Sequence, residues 1–207
     1  MSSFNTIGDG SWPKYAVGTP EYAHAVGILS INYNSLESEF QQFHLFCADA
    51  PEPVVALLFE QLNNDRRIDL LKKMIAINIS DPKFADHVTH FIAGFRVCTD
   101  NRNTIIHASV GALSTNQGTV AFKRARKSGQ EAIYHFQLDT IRRVADEIHE
   151  WARFGHLTLH HALYLQRVEQ KDQFPDGWTI VGPPTLPEKP AVPEILKSNP
   201  LPFKIFV

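Results

Sequence analysis

From Tyr22 to Phe46 an apolar side chain returns at every third or fourth position, through Val26, Leu29, Tyr33, Leu36, Phe40 and Phe43. A strand would scatter these residues over both faces, whereas a helix turning about 100° per residue gathers them on one. The spacing predicts a long amphipathic helix over 20–47, entered through Thr19-Pro20, with Thr as cap and Pro in the first turn. Such a helix needs other helices to cover its apolar stripe.

The rest of the chain supplies them. Pro51 and Pro53 reset the backbone, and a shorter helix follows through Val54, Leu57, Leu58 and Leu62. Asn63-Asn64-Asp65 caps another through Ile68, Leu71, Ile75 and Ile79. Asp81-Pro82 opens a helix carrying Phe84, Val88, Phe91, Ile92 and Phe95, expected to reach Gly111. The period then changes: Thr119–Arg126 and Ala132–Phe136 flank Lys127-Ser128-Gly129-Gln130 as strands flank a turn, which predicts a β-hairpin over 118–137. Asp139 is expected to cap the last helix, ending near 171, with Ile141, Val144, Ile148, Trp151, Ala152, Leu159, Leu163 and Tyr164 as its buried stripe. From Phe174 onward eight of 34 residues are Pro, which forbids regular helix and favours extended segments. Trp178, Leu201, Phe203, Ile205, Phe206 and Val207 give that stretch anchors for lying along the bundle or a partner. The expected fold is all-α: an up-and-down bundle of about five helices over 20–173, with an inserted hairpin, an irregular lead-in over 1–19 and an extended Pro-rich tail over 174–207.

With 43% apolar and 20% charged residues in 207, the chain is long enough for one good core. A formal charge of −2 argues against a general nucleic-acid coat but leaves room for a local basic patch. Cys47 and Cys98 stand far apart, in neither a disulfide nor a zinc-ligand spacing, which fits a reducing cytoplasm. Neither a basic leader with an apolar run nor an uninterrupted apolar span is present, so neither export nor membrane insertion is expected.

The chemistry-bearing stretch is Asn101-Arg102-Asn103-Thr104-Ile105-Ile106-His107-Ala108. Arginine is a permanently charged fork suited to phosphate, and histidine exchanges a proton near neutral pH. On a helix Arg102 and His107 point about 140° apart, so Arg102 must use its full reach or meet the histidine of a second copy; a composite dimer site is the simpler expectation. Asn103, four residues before His107, is expected to hydrogen-bond the imidazole and set its tautomer. Arg96, Asp100, Asn103 and His107 form one polar stripe, in which Arg96 and Asp100 are also spaced for an ordinary intrahelical pair.

Arg102-Asn103-Thr104-Ile105-Ile106-His107, late in a helix of an otherwise helical chain, resembles the Arg-polar-x3-His version of the motif that defines the HEPN superfamily. The resemblance implies a compact helical bundle that dimerises with its two motif helices facing each other. It implies a metal-independent endoribonuclease without a cofactor, of the kind serving as toxins, in phage defence or in RNA processing. By resemblance Arg102 and His107 take the two family positions, and Asn103 the polar residue after the Arg. RNA would be the substrate, and an antitoxin or regulator protein a further partner. Some members have lost catalysis, so the alternative is a silent module that dimerises or binds a partner. The hairpin and the Pro-rich tail depart from a minimal bundle.

Other candidates carry blander readings. Lys123, Arg124, Arg126 and Lys127 make a basic hairpin tip that could track a phosphate backbone, with Phe122 or Tyr134 for stacking, but they serve equally as a charged edge against sheet aggregation. His156 and His160, with His161 beside them, have metal-ligand spacing without a companion carboxylate set, and read as solvated or packing residues. Asp86, His87 and His90 read the same way. Phe40, Phe43 and Phe46 belong to a core or an interface.

Overall fold

The computed structural model describes residues 20–107, 109–110, 119–124, 131–170 and 185–197, with backbone alone over 109–110, 119–124, 131–135 and 169–170. The described residues form five helices: α1 (Pro20–Cys47), α2 (Glu52–Gln61), α3 (Asn64–Asn78), α4 (Pro82–Ile106) and α5 (Leu138–Gln170). Between α4 and α5 the backbone pairs antiparallel along β1 (Ser109–Val110), β2 (Thr119–Arg124) and β3 (Glu131–Phe136), with Thr119 opposite Phe136 and Arg124 opposite Glu131. The turn at 125–130, and the expected hairpin tip with it, lies outside the described residues, as do 1–19, 171–184 and 198–207. No helix among the described residues is long and apolar enough to cross a membrane.

The three long helices pack on one another, α2 and α3 lie against α1, and α3 also touches α4. Leu29, Leu36, Phe40 and Phe43 of α1 are fully buried, as the spacing requires. Phe40 stacks on Phe95 of α4 at 4.0 Å between ring centres, and Phe43 meets Phe91 at 4.7 Å. Burial of such rings, at about 25 cal/mol per Å² of apolar surface, is the principal stabilising contribution.

Helix starts follow their capping signals. Asn63 Oδ1 accepts from the Arg66 amide at 3.0 Å, and Asp81 Oδ1 accepts from the Lys83 amide at 2.9 Å, with Pro82 entering behind it. Helix α2 presents a different face from the one expected: Val55 and Phe59 are buried, while Val54, Leu57 and Leu58 are exposed. The largest ring of a short helix decides its orientation, and Phe59 sits edge-on to Phe40 at 5.8 Å. Helix α4 stops at Ile106 rather than reaching Gly111. His107 is its C-cap, at φ −95° and ψ 7°, donating its amide to Asn103 O at 3.1 Å. Two residues further on, Ser109 enters the ladder with β2, which takes the backbone out of the helix.

Asp139 does not cap α5. The Gln137 carbonyl accepts from the Thr140 amide at 3.0 Å, and Asp139 stands in the first turn, paired with Arg142 at 3.2 Å. Among the described residues the buried face of α5 ends at Leu159 and Ala162; Leu163 is exposed and Tyr164 partly so.

Two glycines let α4 and α5 approach. A Cβ on Gly94 would strike the indole of Trp151, and one on Gly155 would strike the Phe91 ring. Gly94→Ala is expected to cost about 2–3 kcal/mol through overpacking, read as a lower urea midpoint at unchanged slope. Gly27→Ala in α1, where an added Cβ meets nothing within 4 Å, should raise stability by about 0.5–1 kcal/mol.

A buried polar hub joins α1, α2 and α3. Arg67 lies over the Phe59 ring at 4.0 Å, donates from Nε to Phe59 O at 2.6 Å and reaches Glu37 at 3.2 Å. His44, buried beside it, directs Nδ1 at Phe40 O (2.8 Å) and Nε2 at Arg67 O (2.9 Å). A neutral imidazole has one N–H for those two carbonyls. Burial lowers the His44 pKa below the usual histidine range and the Arg67 charge adds to this, against the pull of the two carbonyls. The folded chain then binds fewer protons here than the unfolded one, so the stability is present above pH ~6.5 and is lost as pH falls from there toward the folded value. Denaturation between pH 7.5 and 5.5 should therefore show an acid loss of stability that is smaller in His44→Gln, measured as the difference in slope between the two proteins.

Candidate functional site

The last two turns of α4 bring the sequence-selected residues together within one chain. Arg102 donates from Nη1 to Asn103 Oδ1 at 3.0 Å and meets His107 Nε2 at 3.2 Å. Within one chain Arg102 reaches His107, the arginine stem spanning the angular offset. Asn103 does not hold the imidazole, as its four-residue spacing suggests; it holds the guanidinium, which in turn holds the ring.

A guanidinium has no acceptor, so the His107 Nε2 it meets must present its lone pair. That assigns the neutral ring its proton on Nδ1 and leaves Nε2, the nitrogen beside the arginine, as the basic atom. His107 is exposed, whereas Arg102 and Asn103 are half-buried.

What places Arg102 is invisible in its own helix. Its guanidinium carbon lies 4.9 Å from the centre of the Tyr33 ring of α1, a cation–π contact. Tyr33 is buried; its hydroxyl lies 3.2 Å from Thr99 Oγ1 and takes a long hydrogen bond from Asn64 Nδ2 of α3 at 3.5 Å. Burial pushes the Tyr33 phenol up, with the Thr99 bond opposing, so it stays neutral and works as a platform. Arg102 Nε is also buried, without a hydrogen-bond partner among the described residues.

Beside this trio opens a cleft of about 450 Å³, lined by Asn63, Asn64, Asp65 and Ile68 of the α3 start and by Phe95, Arg96, Thr99, Asp100 and Asn103 of α4. The polar stripe thus gains an opposing wall. Arg96 does not make the intrahelical pair with Asp100: it bonds Asp65 Oδ1 at 3.0 Å, an exposed pair of small energetic weight. Asn103 is the residue shared by trio and cleft.

The other candidates lie elsewhere. Lys123 and Arg124 are placed in β2 by backbone alone, their side chains, like Phe122 and Tyr134, lying outside the described residues together with Arg126 and Lys127. His156 faces Glu39 of α1 at 3.4 Å and stacks on His160; among the described residues no three His, Cys, Asp or Glu side chains gather as a metal-holding group. Cys47 and Cys98 are free and buried, and burial pushes both thiols up to about 12, which removes them as nucleophiles at neutral pH.

Comparison with known proteins finds no matching family model, no matching curated protein and no matching solved structure. The sequence signalled Arg102, Asn103 and His107 by type and spacing. Tyr33, Thr99 and Asn64 carried no such mark, since Tyr33 fits the core stripe of α1, Asn64 belongs to the capping turn before α3 and Thr99 stands in no motif.

The tautomer is directly measurable. Nitrogen NMR of the neutral His107 ring should show Nδ1 protonated and Nε2 bare, and Arg102→Met should shift the ring toward the Nε2–H form that free imidazole side chains favour. An Nε2–H ring in the unaltered protein would reverse the assignment.

Proposed function

We propose that the chain is a metal-independent endoribonuclease of HEPN type, acting as a homodimer, in a toxin or phage-defence setting. The observation that carries the reading is the contact between Arg102 and the bare Nε2 of an exposed His107, a cation and a base presented together at one surface. In this reading an RNA phosphate takes the guanidinium from His107, a phosphoryl oxygen accepting from Nη1, the nitrogen that meets His107 at the surface. The freed His107 Nε2 removes the proton of the 2′-hydroxyl, whose oxygen attacks the adjacent phosphorus. The bond from phosphorus to the 5′-oxygen breaks, and that oxygen takes a proton from an acid on the other side. One protomer supplies one His107, so the acid is assigned to His107 of a second copy across a two-fold axis. Arg102 offsets the charge accumulating on the phosphoryl oxygens, a preorganised role worth a few kcal/mol. The products are a 2′,3′-cyclic phosphate and a free 5′-hydroxyl.

The Lys123, Arg124, Arg126 and Lys127 strip, carried on an inserted hairpin, is assigned to the RNA backbone, and an antitoxin or regulator protein to the partner that restrains the enzyme. The second reading, a catalytically silent dimerisation or partner-binding module, draws on the same trio: Arg102 on Tyr33, with Asn103 and His107, also works as a lock on the end of α4.

The two readings separate on one experiment. Incubated with mixed-sequence RNA in chelator, the chain should leave cyclic-phosphate ends and spare DNA. His107→Ala and Arg102→Ala should each lower the rate by at least about 100-fold at unchanged circular dichroism. A folded dimer that leaves RNA intact favours the silent module, and cleavage indifferent to both substitutions overturns the mechanism.

A further inference from the structure

Residues 185–197 carry neither helix nor strand, yet α4 holds them at several points. His87 Nε2 meets Pro187 O at 3.2 Å and His90 Nε2 meets Pro190 O at 2.8 Å. Asn101 closes the far end with both halves of its amide: Nδ2 donates to Glu194 O at 2.9 Å and Oδ1 accepts from the Leu196 amide at 2.8 Å. Lys189 pairs with Asp86. Apart from that ion pair, each of these contacts grips main chain, so it reads the path of a peptide rather than its side chains.

The path is set by proline. Pro187, Pro190 and Pro193 recur every three residues, the repeat of a polyproline II helix, which puts them on one edge. From His90 to Asn101 α4 rises about 16.5 Å, and five residues from Pro190 to Ile195 span about 15.5 Å at the polyproline rise, so the segment must run extended, parallel to α4. Its bed is aromatic: the His90 ring lies 5.1 Å from Trp151 and 5.7 Å from Phe154, and His87 stacks on Phe154 at 6.0 Å. An aromatic floor with side-chain groups at its rim that bond the peptide main chain suits the recognition of a proline-rich peptide.

The occupant does not fill its place. A cleft of about 610 Å³ remains between the segment and α5, lined by Glu150, Arg153, Phe154 and Leu157 of the helix and, from the segment, by Ala191 among others. We propose that the α4–α5 face is a recognition groove for extended Pro-x-x-Pro-x-x-Pro peptides of another protein, and that residues 185–197 occupy it in cis as a weaker built-in competitor. The favoured partner segment carries a basic residue at the Lys189 position, to meet Asp86, and a larger apolar residue at the Ala191 position, to fill the cleft against Phe154 and Leu157.

The test uses the full chain with Lys189→Glu and Leu196→Asp, which removes the ion pair and places a charge at a residue packed on the core. A labelled peptide of residues 185–197 should bind this chain at one to one, and the unaltered chain at least about tenfold more weakly, because the tethered segment competes at high effective concentration. The same peptide with Ala191→Leu should bind more tightly. Asp86→Lys in the altered chain should weaken the native peptide and restore binding of a peptide carrying Lys189→Glu. Circular dichroism and a cooperative melt establish that each protein is folded. Absence of binding by the folded altered chain, or binding indifferent to Asp86→Lys and His90→Ala, overturns the groove. A dimer of the unaltered chain that falls to monomer on the Lys189 and Leu196 substitutions assigns the segment to a second copy and overturns its role as a cis competitor.

Discussion

Everything of interest on this chain hangs from the close passage of α4 against α5. Gly94 sits against the Trp151 indole and Gly155 against the Phe91 ring, so each helix lends a gap to the other's largest side chain. Interiors are packed like crystals, and a gap of one methyl group at such a crossing fixes the position of both helices. Phe91 in turn meets Phe43, and Phe95 stacks on Phe40, so the same crossing sets how α1 lies on α4. Helix α4 then carries two unlike surfaces, a groove lined with α5 and a cation–histidine pair beside α1 and α3. Neither could be placed by α4 alone.

Buried polar groups give the bundle its register. Asn101 is 1% exposed and satisfied through both halves of its amide by main chain 93 and 95 residues away. Thr99 bonds Phe95 O at 2.8 Å and stands by the Tyr33 hydroxyl. Asn32 Nδ2 reaches Ala145 O at 2.9 Å, tying α1 to α5. Each net hydrogen bond contributes only about 1 kcal/mol, but leaving its partners buried and unmet costs about 1–3 kcal/mol, and alternative packings are rejected by that difference. The His44 ring is the exception, since its two nitrogens face two carbonyls and neutral imidazole can satisfy one at a time.

Helical organisation was legible because period and punctuation agree. The stripe from Leu29 to Phe43, the Asn63 cap and the Asp81-Pro82 start are local signals, and the structure realises each of them. Misreadings occur where a tertiary contact outweighs a local preference. Val54, Leu57 and Leu58 face outward because Phe59 has the better pocket, and α4 ends short of Gly111 because a strand pairing begins at Ser109. The trio was legible by residue type, but the role of Asn103 was not, since helical spacing reports which residues can meet and not which partner a long arginine will reach first. Tyr33 and Asn101 were illegible for a related reason: an aromatic in a core stripe and an amide in a helix declare no partner, and theirs lie 69 and at least 93 residues away in sequence.

Asn101 and Arg102 are consecutive, and on a helix consecutive residues face directions about 100° apart. One therefore turns to the proline-rich segment and the other to Tyr33 and His107, which joins the two surfaces through a single peptide unit. The last turns of a helix are where intrahelical hydrogen bonds run out and fraying begins. Here that turn is clamped from outside on both sides, by the Glu194 and Leu196 main chain and by the Tyr33 ring. Loss of the segment would leave the Asn101 amide to water or to a new partner. The cost of that exchange falls on the turn that positions Arg102. The two bonds to Asn101 therefore belong to the support of the turn that carries Arg102, although they lie on the face of α4 turned away from it.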